Sequence, residues 1–228
     1  MVTGNTVIDA LHRALDKINQ GAPAPAAGRD GRIVLVTLHR REGWEPMDGS
    51  EAPLEAVLLG VQEAAAHFPS VEFIYPVHHN PRVRQPAERL LGTCDNVTLL
   101  EPQPYIPFVE LMARSTVILT DSGGIQEEAP ALGVPVLVLR RTTERPESMP
   151  STKRLLGSSP ARILEQLTPL LEDPPSKPRI LPRPSPFGDG RASERIRDGI
   201  LNFMGLGEWP EEFGEPRPMH SRRGPGPR

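Results

Sequence analysis

Five short apolar runs, each followed by a segment of helical periodicity, constrain this chain more than any other feature. The runs lie at Ile33–Thr37, Glu72–Val77, Asn96–Leu100, Thr116–Leu119 and Pro135–Leu139. Apolar strands of four to six residues alternating with helices build βαβ units, hence a parallel sheet covered on both faces. The clearest helical stripe carries Leu54, Val57, Leu58, Val61 and Ala65, and others lie near Arg82–Leu91, Pro107–Ala113 and Gly124–Leu132. Ahead of the first strand, Val7, Ile8, Leu11, Leu15 and Ile18 share one helical face behind a Thr6-x-x-Asp9 capping pattern. Two later helices are predicted from Ala161 to Leu171 and from about Arg191 to Phe203. The expected class is α/β with a doubly wound parallel sheet. In such sheets ligands bind beyond the carboxyl ends of the strands, so the strand-to-helix loops matter most.

Between these elements the composition shifts. Gly21 to Gly28, with Ala and Pro between, reads as a linker, and Pro174 to Pro186 as a proline-broken connection. From Gly205 to Arg228 the chain has turn formers, charges and few apolar residues, which predicts disorder. The expected division is therefore residues 1–28 as helix and linker, 29–203 as the folded domain and 204–228 as a disordered tail. With 26 basic and 29 acidic residues, the net charge of −3 gives no electrostatic footprint for nucleic acid. The single cysteine, Cys94, excludes an intrachain disulfide and offers no metal-ligand spacing. No run approaches the ~18 apolar residues of a membrane span, and no signal-peptide core opens the chain. A soluble, cytoplasmic protein without metal or membrane partner is expected.

The most specific loop is Leu119-Thr120-Asp121-Ser122-Gly123-Gly124-Ile125-Gln126-Glu127-Glu128. Two glycines remove side chains between backbone and ligand, and the first N–H groups of the following helix lack partners of their own. Such a turn suits an anion, most often phosphate, although a Gly-Gly pair also serves simply to make a turn. Glu128, one helical turn past Gly124, can raise its carboxylate toward a sugar hydroxyl. After the first strand, His39-Arg40-Arg41-Glu42 reads either as a solvated ion-pair loop or as an anion contact. His78 and His79 after the second strand read as turn residues, with Asn80 and Pro81 opening a helix. After the third strand, Gln103 can read the edge of a base, and Phe108 or Tyr105 can stack on it, or Phe108 is core. Arg140, Arg141 and Arg145 after the fifth strand either clamp a diphosphate or form surface ion pairs.

Taken together these loops resemble the non-hydrolysing UDP-N-acetylglucosamine 2-epimerases. His39-Arg40-Arg41-Glu42, Tyr75-Pro76-Val77-His78, Pro102-Gln103-x-Tyr105-x-Pro107-Phe108, Leu119 to Pro130 and Thr142-Thr143-Glu144-Arg145-Pro146-Glu147 stand in that family's order. Val2 to Asp9 resembles its interdomain connection and Phe187-Gly188-Asp189-Gly190-x-Ala192 its C-terminal signature. The resemblance implies a Rossmann-like domain, one half of a two-domain, glycosyltransferase-B-like architecture, with this chain as the C-terminal half that holds UDP. It places Gln103 and Phe108 at the uracil, Ser122 and Gly123 at the diphosphate, Glu128 at the ribose and Arg145 against phosphate charge. His39 matches an active-site histidine; Arg40 and His78 match positions that help bind a regulatory UDP-sugar in some members. No cofactor is implied, and pairing into a homodimer is implied in the same way.

The family reaction inverts C2 of UDP-N-acetylglucosamine by removing its proton, expelling UDP and adding UDP back to the glycal. That route needs acid–base groups near C2 and a cationic, desolvated grip on the leaving diphosphate. The carboxylates that handle the C2 proton in the family have no motif match here, so the chain alone is expected to be inactive. Two loops also depart from the family pattern: Gly43 to Ser50 looks longer, and Ser148-Met149-Pro150-Ser151-Thr152 lacks a glycine. The competing readings are a non-catalytic UDP or UDP-sugar binding module and half of a nucleotide-sugar glycosyltransferase. The latter accounts less well for His39-Arg40-Arg41-Glu42 and Thr143 to Glu147.

Overall fold

A computed structural model describes residues 1–20, 31–39, 53–140, 142–143, 145, 153–173 and 185–214. The elements run α1 (Thr6–Gln20), β1 (Ile33–Thr37), α2 (Pro53–His67), β2 (Glu72–Pro76), α3 (Pro81–Leu91), β3 (Val97–Leu100) and α4 (Tyr105–Arg114). There follow β4 (Val117–Thr120), α5 (Ile125–Ala131), β5 (Val136–Val138), β6 (Lys153–Leu155), α6 (Pro160–Glu172) and α7 (Ala192–Phe203). The strands form one sheet in the order β3-β2-β1-β4-β5-β6, every pair parallel. This is the Rossmann-like, doubly wound class. The reversal of strand order falls between β1 and β4, which are in register from Val34 with Val117 to Thr37 with Thr120.

Alternation along β1 divides the core. Val34, Val36 and Leu38 join Val57, Leu58 and Val61 of α2, Val83 and Leu91 of α3, and Ile163 and Leu167 of α6. Ile33 and Leu35 point the other way, to Leu11 and Ala14 of α1, Val109 and Met112 of α4, and Ile125 and Ala129 of α5. Helices on both faces explain why β1 is buried at every position. Helix α1 thus belongs to the same core as the sheet, and the expected division near residue 28 does not separate it in packing. Where α2 crosses α6, a Cβ on Gly60 would lie 2.8 Å from Pro160 Cα and from Ile163 Cδ1, so only glycine fits there.

The structure corrects three expectations. Strand β6 was not foreseen: its sequence Lys-Arg-Leu has no apolar run, in keeping with an edge strand. The Thr6-x-x-Asp9 pattern is not a capping box. Asn5 Oδ1 takes the N–H of Val7 at 3.1 Å, while buried Asp9 accepts the N–H groups of Ala192 (3.1 Å) and Ser193 (2.7 Å) and so caps α7. Burial alone would raise the Asp9 pKa, but the bonds from Ser193 and Ala192 outweigh it and hold the carboxyl below its ordinary value. Lastly, the tail expected to be disordered from 204 onward is ordered in part. Phe213 donates its N–H to Val2 O (2.8 Å), and Arg195 Nε donates to Glu211 O (3.0 Å). The linker at 21–28, the rest of the tail (215–228) and the loops at Gly43–Ser50 and Ser148–Thr152 lie outside the described residues.

The turn at Phe187–Gly190 rides on α1. Gly190 has φ +84°, and a Cβ there would collide with His12 Nδ1, which accounts for the second glycine of the C-terminal signature. The outer side of α7 exposes Ile200, Phe203 and Met204, with Leu206 and Trp209 just beyond.

Candidate functional site

The carboxyl ends of β1 and β4 are joined by buried hydroxyls. Thr37 Oγ1 lies 2.6 Å from Thr120 Oγ1, and Thr120 Oγ1 accepts the N–H of Ser122 at 3.0 Å. This pair fixes where the β4–α5 turn begins. The Asp121 N–H donates to Thr37 O at 3.3 Å, and its carboxylate receives the His39 N–H at 3.1 Å (Oδ2). Asp121 Oδ1 also lies 3.1 Å from His39 Nδ1, so both ends of His39 are held while its ring stays half exposed. From below, buried Tyr75 donates its hydroxyl to Leu38 O at 3.2 Å. Burial, with the charge of Asp121 added, pushes the Tyr75 pKa far up and keeps the phenol a neutral donor.

The glycines behave differently from a simple turn. Gly124 has φ −63° and ψ −45°, ordinary helical values, and a Cβ there would meet only Ser122 Oγ at 4.0 Å. Neither backbone conformation nor packing calls for glycine. A side chain there would stand in open space beside Ser122, at the N-cap of α5.

The three side chains Gln126, Glu127 and Glu128 of the first turn of α5 then reach in different directions. Gln126, wholly buried, donates to Ser122 O (3.1 Å) and accepts from Thr143 Oγ1 (2.6 Å). Thr143 Oγ1 in turn accepts the Arg145 N–H at 3.0 Å. Glu127, 5% exposed, accepts from Arg145 Nε and from Asn5 Nδ2. Glu128, 7% exposed, accepts the Tyr105 hydroxyl at 2.7 Å. Burial raises the Glu128 pKa; the Tyr105 bond opposes this and the neighbouring Glu127 charge adds to it. Burial and then Glu128 push the Tyr105 phenol up as well.

Of the site residues expected from sequence, the structure gathers His39, Ser122, Gly123, Glu128 and Arg145 around this one turn. The others are placed elsewhere. Gln103 donates its amide to Glu101 O at 2.7 Å, within its own loop. Phe108 is half buried against the α1–α4–α5 side of the core, and Tyr105 is the more exposed ring. His78 Nδ1 accepts the Asn80 N–H at 3.1 Å, and Asn80 Oδ1 accepts the Arg82 N–H at 2.9 Å to cap α3. His78 is thus a turn residue in this structure. His79 instead faces Glu101 at 3.5 Å, whose carboxyl Arg84 holds below the ordinary range. Arg40 lies outside the described residues. Arg140 lines a cavity of about 430 Å³ with Leu155, Leu156 and Arg162. Sequence reasoning overlooked Asn5 and Gln126. Both occur within the motifs, but their partners are distant in sequence. Among the described residues no group of His, Cys, Asp and Glu can hold a metal ion, and no helix is long and apolar enough to cross a membrane.

The domain is of the doubly wound α/β class, in which ligands bind at the crevice where the strand order reverses, here between β1 and β4. The family profile of UDP-N-acetylglucosamine 2-epimerase matches residues 1–201, and the chain belongs to that family. A UDP-N-acetylglucosamine 2-epimerase of Escherichia coli K12 is 43% identical over 210 residues, covering 88% of this chain and 54% of the relative. The crystal structure of the Neisseria meningitidis UDP-GlcNAc 2-epimerase bound to UDP-GlcNAc superposes with a TM-score of 0.78 at 42% identity, covering 89% of this chain and 55% of that one. The S. aureus MnaA–UDP co-structure gives a TM-score of 0.78 at 35% identity, with 93% and 56% covered. The chain spans about half the length of the curated relatives it matches.

Proposed function

We propose that this chain supplies the UDP-binding half of a UDP-N-acetylglucosamine 2-epimerase, which interconverts UDP-GlcNAc and UDP-ManNAc by elimination and re-addition of UDP. One observation carries the reading: Gly124 is glycine where neither its backbone angles nor its neighbours require it, at the start of a helix whose first turn presents Glu128. The diphosphate rests on Ser122, Gly123 and the amides beyond, Glu128 takes the ribose hydroxyls, and Arg145 and His39 meet the phosphate charge. Gln103 and Phe108 approach the uracil after a rotation of the Gln103 amide away from Glu101, and Arg40 with His78 addresses a second, regulatory UDP-sugar. The ligands of the Neisseria and S. aureus structures, UDP-GlcNAc and UDP, support this assignment. A cytoplasmic location and pairing of two copies belong to the same proposal.

The described carboxylates at the mouth of the sheet are already committed: Asp121 to His39, Glu127 to Arg145 and Asn5, Glu128 to Tyr105. In this reading Glu128 serves the ribose, no C2 base is assigned among the described residues, and the chain by itself binds UDP and is inert. The exposed apolar row on α7 supports a contact with a further domain. The test is incubation of the purified chain with UDP-GlcNAc in deuterated water, following the C2 proton by NMR, beside calorimetry with UDP. Binding without exchange is expected. Exchange by the isolated chain makes it a complete catalyst, and no binding at millimolar UDP ends the reading.

Glu128→Ala is expected to weaken UDP and uridine alike by about 2 kcal/mol, roughly thirtyfold, the worth of hydrogen bonds to a charged acceptor. The carboxylate is the form that accepts two hydroxyls, and its pKa lies above the ordinary value of 4.5. Wild-type affinity should therefore fall as pH drops through that raised pKa, and Glu128→Gln should lack this step. Titrating both with UDP cancels the phosphate's own protonation.

A further inference from the structure

We infer that Glu127 is a positioning residue that couples the phosphate-facing Arg145 to the segment before α1, an inference that rests on the UDP-binding reading above. The carboxylate is 5% exposed and uses its two oxygens separately: Oε1 accepts from Arg145 Nε and Oε2 from Asn5 Nδ2. Its partners come from opposite ends of the fold, 18 and 122 residues away. Asn5 has no slack. Its Oδ1 caps Val7, its N–H donates to Phe187 O at 2.7 Å, and its carbonyl accepts the Ile8 N–H at 3.1 Å. Any movement of the Glu127 oxygens is therefore passed to the start of α1 and to the Phe187 turn.

Arg145 is the partner that a ligand can reach, since its side chain is 38% exposed beside a buried carboxylate. Glu127 holds the guanidinium by its Nε edge and so orients it toward an arriving diphosphate. A buried carboxylate must keep its cation, so a ligand that draws on Arg145 moves the three groups together. Binding at the turn and the Asn5–Glu127 bond are then linked, and linkage acts in both directions. A nucleoside without phosphate lacks the anion that Arg145 would meet and should leave the link undisturbed.

Only an ionised carboxylate can accept from two donors in this way; an amide accepts on one side and donates on the other. Glu127→Gln therefore satisfies Arg145 or Asn5, never both. Changing residue 5 as well to an acceptor, Asn5→Asp, lets the substituted amide at position 127 donate to it while the oxygen of that amide keeps Arg145. The double variant also restores the net charge and retains a capping oxygen for α1.

The experiment measures UDP and uridine affinity for the wild type, Glu127→Gln, Asn5→Asp and the double variant, with the Asn5 side-chain amide of the wild type followed by ¹H–¹⁵N NMR. Each single substitution is expected to weaken UDP by roughly tenfold, within the about 5–150-fold range of such couplings, and to leave uridine unchanged. The double variant is expected to recover wild-type UDP affinity. In the wild type, UDP should shift the Asn5 amide with the same dissociation constant that calorimetry gives, and uridine should not. Single variants that bind UDP normally, or a double variant showing the sum of the two losses, overturn the coupling. If the single variants fail to fold, the wild-type arm decides: an Asn5 amide unmoved by saturating UDP overturns it. A wild type that binds no UDP overturns the functional reading itself, which is a separate outcome.

Discussion

Gly124→Ala should fold at least as well as the wild type and lose most of its affinity for UDP. At φ −63° and ψ −45° alanine is unstrained, and its methyl meets only Ser122 Oγ at 4.0 Å. Replacing glycine at a compatible position restricts the unfolded chain and stabilises by about 0.4–1 kcal/mol. On the UDP-binding reading proposed above, the same methyl would stand between the helix amides and the diphosphate. Pushing an anion back by the width of a methyl removes charge-assisted hydrogen bonds worth about 1.5–3 kcal/mol each, a loss of roughly tenfold or more for even one. Thermal melting and calorimetry on one preparation check both halves. A variant that binds UDP normally would mean that the glycine pair serves only the turn, and the cradle would be lost as an explanation.

The second large effect concerns stability. Arg195, 7% exposed, donates from both terminal nitrogens to Asp189 at 2.7 Å, and also to the carbonyls of Thr3 and Glu211. Its guanidinium lies 5.8 Å from the centroid of the Phe213 ring. Asp189→Ala leaves this cation without its carboxylate. Breaking a buried pair costs about 3–5 kcal/mol, and the partial exposure of Asp189 brings the expectation to roughly 2–4 kcal/mol. Arg195 holds the Asp189 carboxyl below its ordinary value of 3.8, against the opposing effect of burial. For a carboxyl lowered in the folded state, the stabilisation is complete above the unfolded value and disappears as pH falls through the folded one. Denaturant midpoints should therefore differ between wild type and variant at pH 7, and the gap should shrink below pH 3.8. A gap unchanged in acid would assign the loss to packing and not to charge.

Much of this was legible in the sequence because the signals are local. Short apolar runs and period-3.6 patterns placed β1 to β5 and all seven described helices, and βα alternation alone put the Gly-Gly turn at the carboxyl edge of the sheet. Strand β6 escaped because an edge strand needs no apolar run and Lys153-Arg154-Leu155 has none. Asp9 was misread for a different reason. An acidic residue three places after a threonine fits a capping box, yet its hydrogen-bond partners lie 183 and 184 residues away. The neighbouring glutamates show the same limit. Sequence spacing indicates that Glu127 and Glu128 face differently, but only the fold brings Tyr105 to one and Arg145 with Asn5 to the other.

The fastening of residues 2–9 to residues 187–213 has a consequence for biosynthesis. Helix α1 is translated before the sheet, while the groups that hold its front end, at Phe187, Ala192, Ser193 and Phe213, follow every strand. Between the translation of β6 and that of residue 187, Leu11 and Ala14 have a sheet to cover but no clasp to keep them there. A polypeptide arrested before residue 187 would therefore carry α1 without the contacts that fasten it.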